Sequence, residues 1–144
     1  MFVGIDPGKT GAAAIIDDES KVLSICEWSK NTVPDIWDWI EEHSLKIHVA
    51  LIEKVSSSPQ MGVRSAFSFG ENYGTWTGML TAASLRFDFV SPQKWQNSLS
   101  CKTGGDKNIT KSKAQQLFGN QNLKITHATA DCLLIAEYAK RNLK

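Results

Sequence analysis

The chain has 144 residues, 42% of them hydrophobic and 22% charged, with a formal net charge of +1. That length and balance suit one compact domain over 1–144 with a proper buried core, and they exclude a disordered or fibrous chain. No apolar run approaches the roughly 20 residues that cross a bilayer, so no membrane partner is expected. The opening Met-Phe-Val-Gly-Ile-Asp lacks signal-peptide character. Cys26, Cys101 and Cys132 are odd in number and lack CxxC spacing, which points to reduced thiols and against a zinc site. The expected compartment is cytoplasmic, or the host cytoplasm for a viral source.

Charge is unevenly spread. Residues 1–53 carry ten acidic and four basic side chains, whereas residues 54–144 carry five acidic and twelve basic ones. A basic C-terminal portion is what a phosphate-backbone partner needs, although a solvated surface has the same composition.

Taken in order, Phe-Val-Gly-Ile-Asp6 reads as a buried strand ending at the Pro7-Gly8 turn. Gly11 to Ile16 and Lys21 to Trp28 read as two further strands, and three short strands in succession favour an antiparallel start. A helix is predicted from near Thr32, with Pro34 and Asp35 in its first turn and Val33, Ile36, Trp37 and Ile40 on one face. Ile47 to Ile52 is an apolar strand, interrupted by His48 and ending in Glu53, followed by a Ser/Pro-rich loop, Val55 to Met61.

Residues 62 to about 84 suit a long helix despite Gly70, Gly74 and Gly78, each of which costs roughly 1 kcal/mol against Ala. It has two apolar rows: Val63, Phe67, Gly70, Gly74, Thr77 and Leu80 in one, Phe69, Trp76, Met79 and Ala83 in the other. A helix apolar on two sides is either deeply buried or shared with a partner. The second row, through Trp76 and Met79, is the one expected to meet a partner. Phe87 to Val90 is a fifth strand. A short helix around Trp95, a Gly/Lys loop from Lys102 to Lys107, and helices over about 109–118 and 126–142 complete the chain. The fold class this order implies is α/β, a mixed five-stranded sheet with helices on both faces.

The chemistry lies in the acids. Asp6 and Glu53 each sit at the tip of an apolar strand, where a charge is costly unless paired and where α/β sheets gather their ligands. Asp131 sits near the start of the last helix, with His127 one turn earlier on the same face. Any one of them alone reads better as a helix cap, turn residue or surface charge. Together they suit a hard cation such as Mg²⁺, with Mn²⁺ substituting. Two such ions about 3.5–4 Å apart perform phosphodiester hydrolysis. No Ser/His/Asp or Cys/His set competes, and His43 and His48 read as structural.

Gly4-Ile5-Asp6-Pro7-Gly8, Ile52-Glu53-Lys54-Val55 and His127 through Tyr138, in that order, resemble the three motifs of RuvC-like Holliday junction resolvases within the RNase H-like superfamily. Phe67 to Trp76 and Val90-Ser-Pro92-Gln-Lys-Trp95 are similar to segments of its compact phage and bacterial members. The resemblance spans nearly the whole chain and implies an RNase H-like fold. It implies an Mg²⁺-dependent homodimer that nicks two strands of a four-way DNA junction symmetrically, with Asp6, Glu53 and Asp131 as metal ligands. Many members place an acid three residues before the last Asp, where this chain has Ala128. His127 is the substitute, as ligand or as acid/base. Lys102, Lys107, Lys111 and Lys113 correspond to a region that assists DNA binding, a role for which phosphate contacts suit them. Lys54 is a further backbone contact. Phe69 is a candidate for stacking on an unpaired base, with core packing as its other reading.

Two rival motifs fail. Gly8-Lys9-Thr10 is not a P-loop, because the required first glycine falls at Val3. A Gly-Ile-Asp-x-Gly start also opens actin-like ATPases, which need a second duplicated domain. A broader branched-DNA or flap nuclease and a non-cleaving junction-binding module stay open as alternatives.

Overall fold

The protein is described here by a computed structural model covering residues 1–143; Lys144, the last residue of the expected domain, lies outside the described residues. Five strands, β1 (Phe2–Ile5), β2 (Ala12–Ile16), β3 (Val22–Glu27), β4 (Val49–Glu53) and β5 (Phe87–Val90), form one sheet in the order β3-β2-β1-β4-β5. The first three pair antiparallel, and β1, β4 and β5 pair parallel. This is the mixed RNase H-like sheet that the motif order implies.

The strands are shorter than the apolar runs suggest. Trp28 leaves β3 for a 3₁₀ turn over Trp28–Lys30, and Ile47 and His48 precede β4. His48 is exposed, and its ring meets that of Phe2 edge-on at 5.9 Å.

Alternation along the strands sorts the core into two layers. Phe2, Ala14, Ile16, Val49 and Leu51 face α3 (Pro92–Ser98), α4 (Lys107–Phe118) and α5 (His127–Asn142). Val3, Ile5, Ala13, Ile15, Ala50 and Ile52 face α1 (Val33–His43) and α2 (Val63–Ala82). α1 begins as its sequence predicts, with Thr32 and Asp35 bonding reciprocally across the first turn. It buries Ile36 and Ile40, one turn apart.

α2 corrects one expectation. Trp76 and Met79 are not available to a partner, because Trp76 is fully enclosed and Met79 is 8% exposed within the core layer beneath the sheet. Leu80 falls on the same side because it lies one turn beyond Trp76. The row left in solvent is the other one, where Val63 is 89% and Phe67 70% exposed and a Cβ on Gly70 or Gly74 would meet nothing.

α5 is the centre of the second layer. Its residues from Cys132 to Ala139 are all buried, and it packs on β1, β2, β4 and α4. That depth depends on Gly4. A Cβ there would lie 2.1 Å from the Cys132 carbonyl oxygen and 2.2 Å from the Ala136 nitrogen. Backbone meets backbone, so neither side has a rotamer that relieves the clash. At its far end α5 is tied to the β2–β3 turn: Glu137 accepts from Ser20 at 2.5 Å and from Arg141 at 2.7 Å.

Gly4→Ala is therefore expected to cost at least about 1–3 kcal/mol in urea denaturation, as overpacking does. Gly119→Ala is the control. Gly119 ends α4 at a right-handed φ of −65° with open space around it, so alanine should be neutral or stabilising by up to about 1 kcal/mol.

Candidate active site

The same alternation that sorts the core delivers the first two acids to one place. Ile5 pairs with Ile52 on adjacent parallel strands, both facing α1 and α2. The residues that follow them, Asp6 and Glu53, therefore turn to the opposite face, under α5. That helix runs antiparallel to β1, and Asp131 precedes by one residue the carbonyl that rests on Gly4. Strand tips and helix start converge.

Each carboxylate is held differently. Asp6 Oδ1 accepts from the Gly8 backbone N–H at 2.9 Å, in a turn closed by Gly11 N–H donating to the Gly8 carbonyl at 2.9 Å. A Cβ on Gly11 would come within 2.9 Å of the Asp6 carboxyl carbon, so that position must be glycine for Asp6 to keep its pose. Glu53 Oε1 accepts from the Trp95 indole N–H at 2.9 Å, and Lys54 N–H donates to the Val90 carbonyl at 2.7 Å just beyond. Asp131 has the Thr110 hydroxyl beside it, yet its Oδ1 is buried without any hydrogen-bond partner.

Electrostatically Asp131 acts on Asp6, and both act on Glu53. Burial lifts the Asp6 carboxyl above its ordinary range, and the charge of Asp131 adds to this, while the Gly8 bond and Lys107 oppose it. Glu53 is pushed up to about 7, first by burial and then by Asp6, with Trp95 and Lys107 working against the rise. Asp131 is raised by burial against the pull of Thr110, Lys107 and His127. Like charges under low-dielectric cover resist ionising together, and an orphaned buried oxygen costs free energy until something satisfies it. Both are relieved by a divalent cation. Among the described residues no three His, Cys, Asp or Glu side chains are gathered tightly enough to grip an ion as they stand. A magnesium-like cation that keeps several waters needs only one or two direct carboxylates, and the donor set fits it.

The other sequence candidates divide. His127 is the first residue of α5, exposed, and close enough to Asp131 to favour its charged form. Lys107 belongs to the acids themselves, since its charge acts on all three. α4 starts two residues earlier than expected because Gly104 and Gly105, at φ +55° and +98°, turn the loop so that Asp106 caps Asn108 at 2.9 Å. That brings Lys107 into the first turn. Lys111 and Lys113 are half-buried on the same helix, Lys113 near Cys101, while Lys54 and Lys102 are exposed. Phe69 stands apart from the carboxylates. It stacks on Tyr73 at 6.4 Å and lines a cavity of about 280 Å³ with Lys9 and Arg64. Trp95 and Thr110 were missed as site residues, for a tryptophan in a short helix and a threonine among lysines both read as ordinary packing.

This mixed five-stranded sheet with helices on both faces has the RNase H-like fold of the RuvC-type resolvases. Thermus thermophilus RuvC superposes with a TM-score of 0.66 at 17% identity, over 97% of this chain and 95% of that one. The same protein in complex with a Holliday junction substrate gives 0.63 at 16%, over 97% and 94%. Fowlpox virus resolvase, bound to its substrate Holliday junction DNA, gives 0.57 at 15%, over 99% and 100%. In sequence, no family model matches the chain, and neither does any curated protein. No helix among the described residues is long and apolar enough to cross a membrane.

Because the folded carboxyls titrate above their unfolded values, they favour the folded state when protonated. In the metal-free protein that stability is fully present below about pH 4.5 and is lost as pH rises through about 7 for Glu53. Melting temperatures in EDTA should show wild type losing ground to Glu53→Gln across this window. A constant difference between the two from pH 4 to 8 would contradict the coupling.

Proposed function

We propose that the chain is a divalent-metal-dependent endonuclease that cuts four-way DNA junctions as a symmetric dimer. The observation that carries this reading is the convergence of Asp6, Glu53 and Asp131 in one half-buried cluster, where Asp6 and Asp131 both act on Glu53. It lies within a fold shared with two proteins whose structures hold Holliday junctions.

In this reading Asp6, Glu53 and Asp131 hold Mg²⁺ or Mn²⁺, with His127 as a fourth donor or an acid/base group in place of the acid absent at Ala128. Once bound, two such ions supply a hydrolytic nucleophile and neutralise charge on the leaving oxygen. The chain's own groups do the rest. Gly8 N–H fixes the Asp6 carboxylate, and the Trp95 indole fixes that of Glu53. Lys107, whose charge reaches all three acids, draws the scissile phosphate towards them. Lys54, Lys102, Lys111 and Lys113 neutralise neighbouring backbone phosphates and set the strand's position without reading its bases. Phe69, in the cavity wall with Lys9 and Arg64, stacks on a base exposed at the branch point.

Two-fold symmetry of the substrate asks for two such sites facing a common axis. The exposed α2 row through Val63 and Phe67 suits that contact, being apolar, uncovered and on the side of α2 away from the sheet.

With a synthetic four-way junction and Mg²⁺, the wild type should cut two opposed strands. Asp6→Asn should lower cleavage by at least about a hundredfold yet leave junction binding within a few-fold. Wild-type protein that binds the junction and cuts with neither Mg²⁺ nor Mn²⁺ would favour a binding module. Equal cutting of flaps and junctions would favour a broader branched-DNA nuclease. Sedimentation of the wild type alongside Phe67→Glu checks the dimer, with a shift towards monomer expected in the variant.

A further inference from the structure

One face of α2 turns inward along the whole helix, and its character changes midway. Asn72, Trp76, Met79 and Leu80 are buried there, and the same spacing of three and four residues runs back through Phe69, Ser68 and Ser65. Those three line the cavity of about 280 Å³ together with Arg64, Met61 and Lys9. Lys9 and Met61 belong to the loops that leave Asp6 and Glu53, so the segments after both strand tips border the cavity. Further along α2, Thr75, Thr77 and Thr81 turn their hydroxyls back onto helix carbonyls at 2.7 to 3.1 Å. Among the described residues, Ser65 and Ser68 make no such bond, and Lys9 and Arg64 enter no ion pair. Tyr73 stacks against Phe69 at 6.4 Å. A flat apolar wall, two unpartnered hydroxyls and two unpaired cations match the ring, the edge and the phosphate of a nucleotide.

We propose that this cavity receives the base of a nucleotide beside the scissile phosphate, turned out of its stack, and that Ser65 and Ser68 read that base and so set the sequence at which a junction is cut. This inference rests on the nuclease reading above and adds a sequence determinant to it. At most about 11 Å of chain separates Asp6 from Lys9, so a strand with a phosphate at Asp6 carries a neighbouring nucleotide past the cavity. A base at a branch point has lost a stacking neighbour, and its extrusion costs least there. Phe69 restores a stacking partner, while Lys9 and Arg64 hold the flanking phosphate. Each serine hydroxyl is donor and acceptor in one and bonds the base edge. A base that leaves either hydroxyl unmatched forgoes that bond, which is the source of the preference.

Binding is measured in Asp6→Asn, so that cleavage does not intervene. Four-way junctions with a single abasic residue at each position around the branch point should lose affinity at one position, by about five- to 150-fold. Adding Ser68→Phe, which fills the cavity, should weaken binding of the intact junction and abolish sensitivity to the abasic residue. Abasic losses equal in both proteins, or absent at every position, would overturn the proposal. Asp6→Asn protein that binds junctions no better than duplex DNA would instead overturn the junction reading and this inference with it. The reading role is tested in cleavage by the wild type and the double variant Ser65→Ala, Ser68→Ala on junctions that differ only in the base at that position. The preference among bases should flatten by about two- to tenfold per hydroxyl. A wild type without preference, or a variant slowed equally on all four bases, would overturn the role given to the serines.

A folding defect in Ser68→Phe is bypassed by placing the fluorescent base 2-aminopurine at each branch position in turn, with Asp6→Asn as the only variant. Emission should brighten at one position as the base leaves its stack, and there it should be shielded from acrylamide quenching. No brightening at any position, or brightening fully open to acrylamide, would also overturn the proposal.

Discussion

The close approach of α5 to β1 across Gly4 governs the rest of the molecule. With no side chain between them, the helix backbone rests on the strand backbone, and Cys132 through Ala136 bury against the centre of the sheet. Asp131, just before that contact, is drawn over the tips of β1 and β4. A residue of any size at Gly4 lifts the helix and parts Asp131 from Asp6. The Glu137 network with Ser20 and Arg141 secures the other end of α5 to the β2–β3 turn. The helix is thus held at the sheet centre and at its distal end, and its N-terminal turn is aimed at the acids.

What that geometry creates is unfavourable by itself. Burial raises the proton affinity of all three carboxylates, Asp131 adds to that of Asp6, both add to that of Glu53, and one buried oxygen has no partner. The fold offsets part of this with one specific donor for each of two acids, Gly8 N–H for Asp6 and the Trp95 indole for Glu53, and with Lys107 acting on all three. The remainder is strain concentrated at the site, as expected where function and stability pull in different directions. In the proposed reading a cation bound there stabilises the folded protein as well as acting on DNA.

Asp6 and Glu53 were legible because each ends an apolar run, and the period-2 rule then sends both to one face once the parallel pairing of β1 and β4 is known. Asp131 was legible from its place at the head of an apolar helix. Five strands and an antiparallel start were legible in three short runs and two apolar ones, whereas the order β3-β2-β1-β4-β5 was not. Other features depend on contacts that no local pattern contains. Gly4 looks like an ordinary strand glycine until α5 lies on it. Trp95 and Glu53 are 42 residues apart, so the indole's partner is invisible along the chain. Lys107 read as loop because the Gly104-Gly105 turn moves the start of α4 to Lys107, capped by Asp106. On α2, two apolar rows were evident, but periodicity could not say which one meets the sheet. Trp76 and Met79 won that place by bulk, because the core excludes more water with an indole and a thioether than with the glycine row.

Crystals soaked in Mn²⁺ test the central claim most directly, through the anomalous scattering of the ion. Peaks are expected within coordination distance of the Asp6, Glu53 and Asp131 carboxylates, with Asp131 Oδ1 gaining the partner it lacks. A map at saturating Mn²⁺ with no peak among these three, or with the ion bound elsewhere while junction cleavage persists, would contradict it.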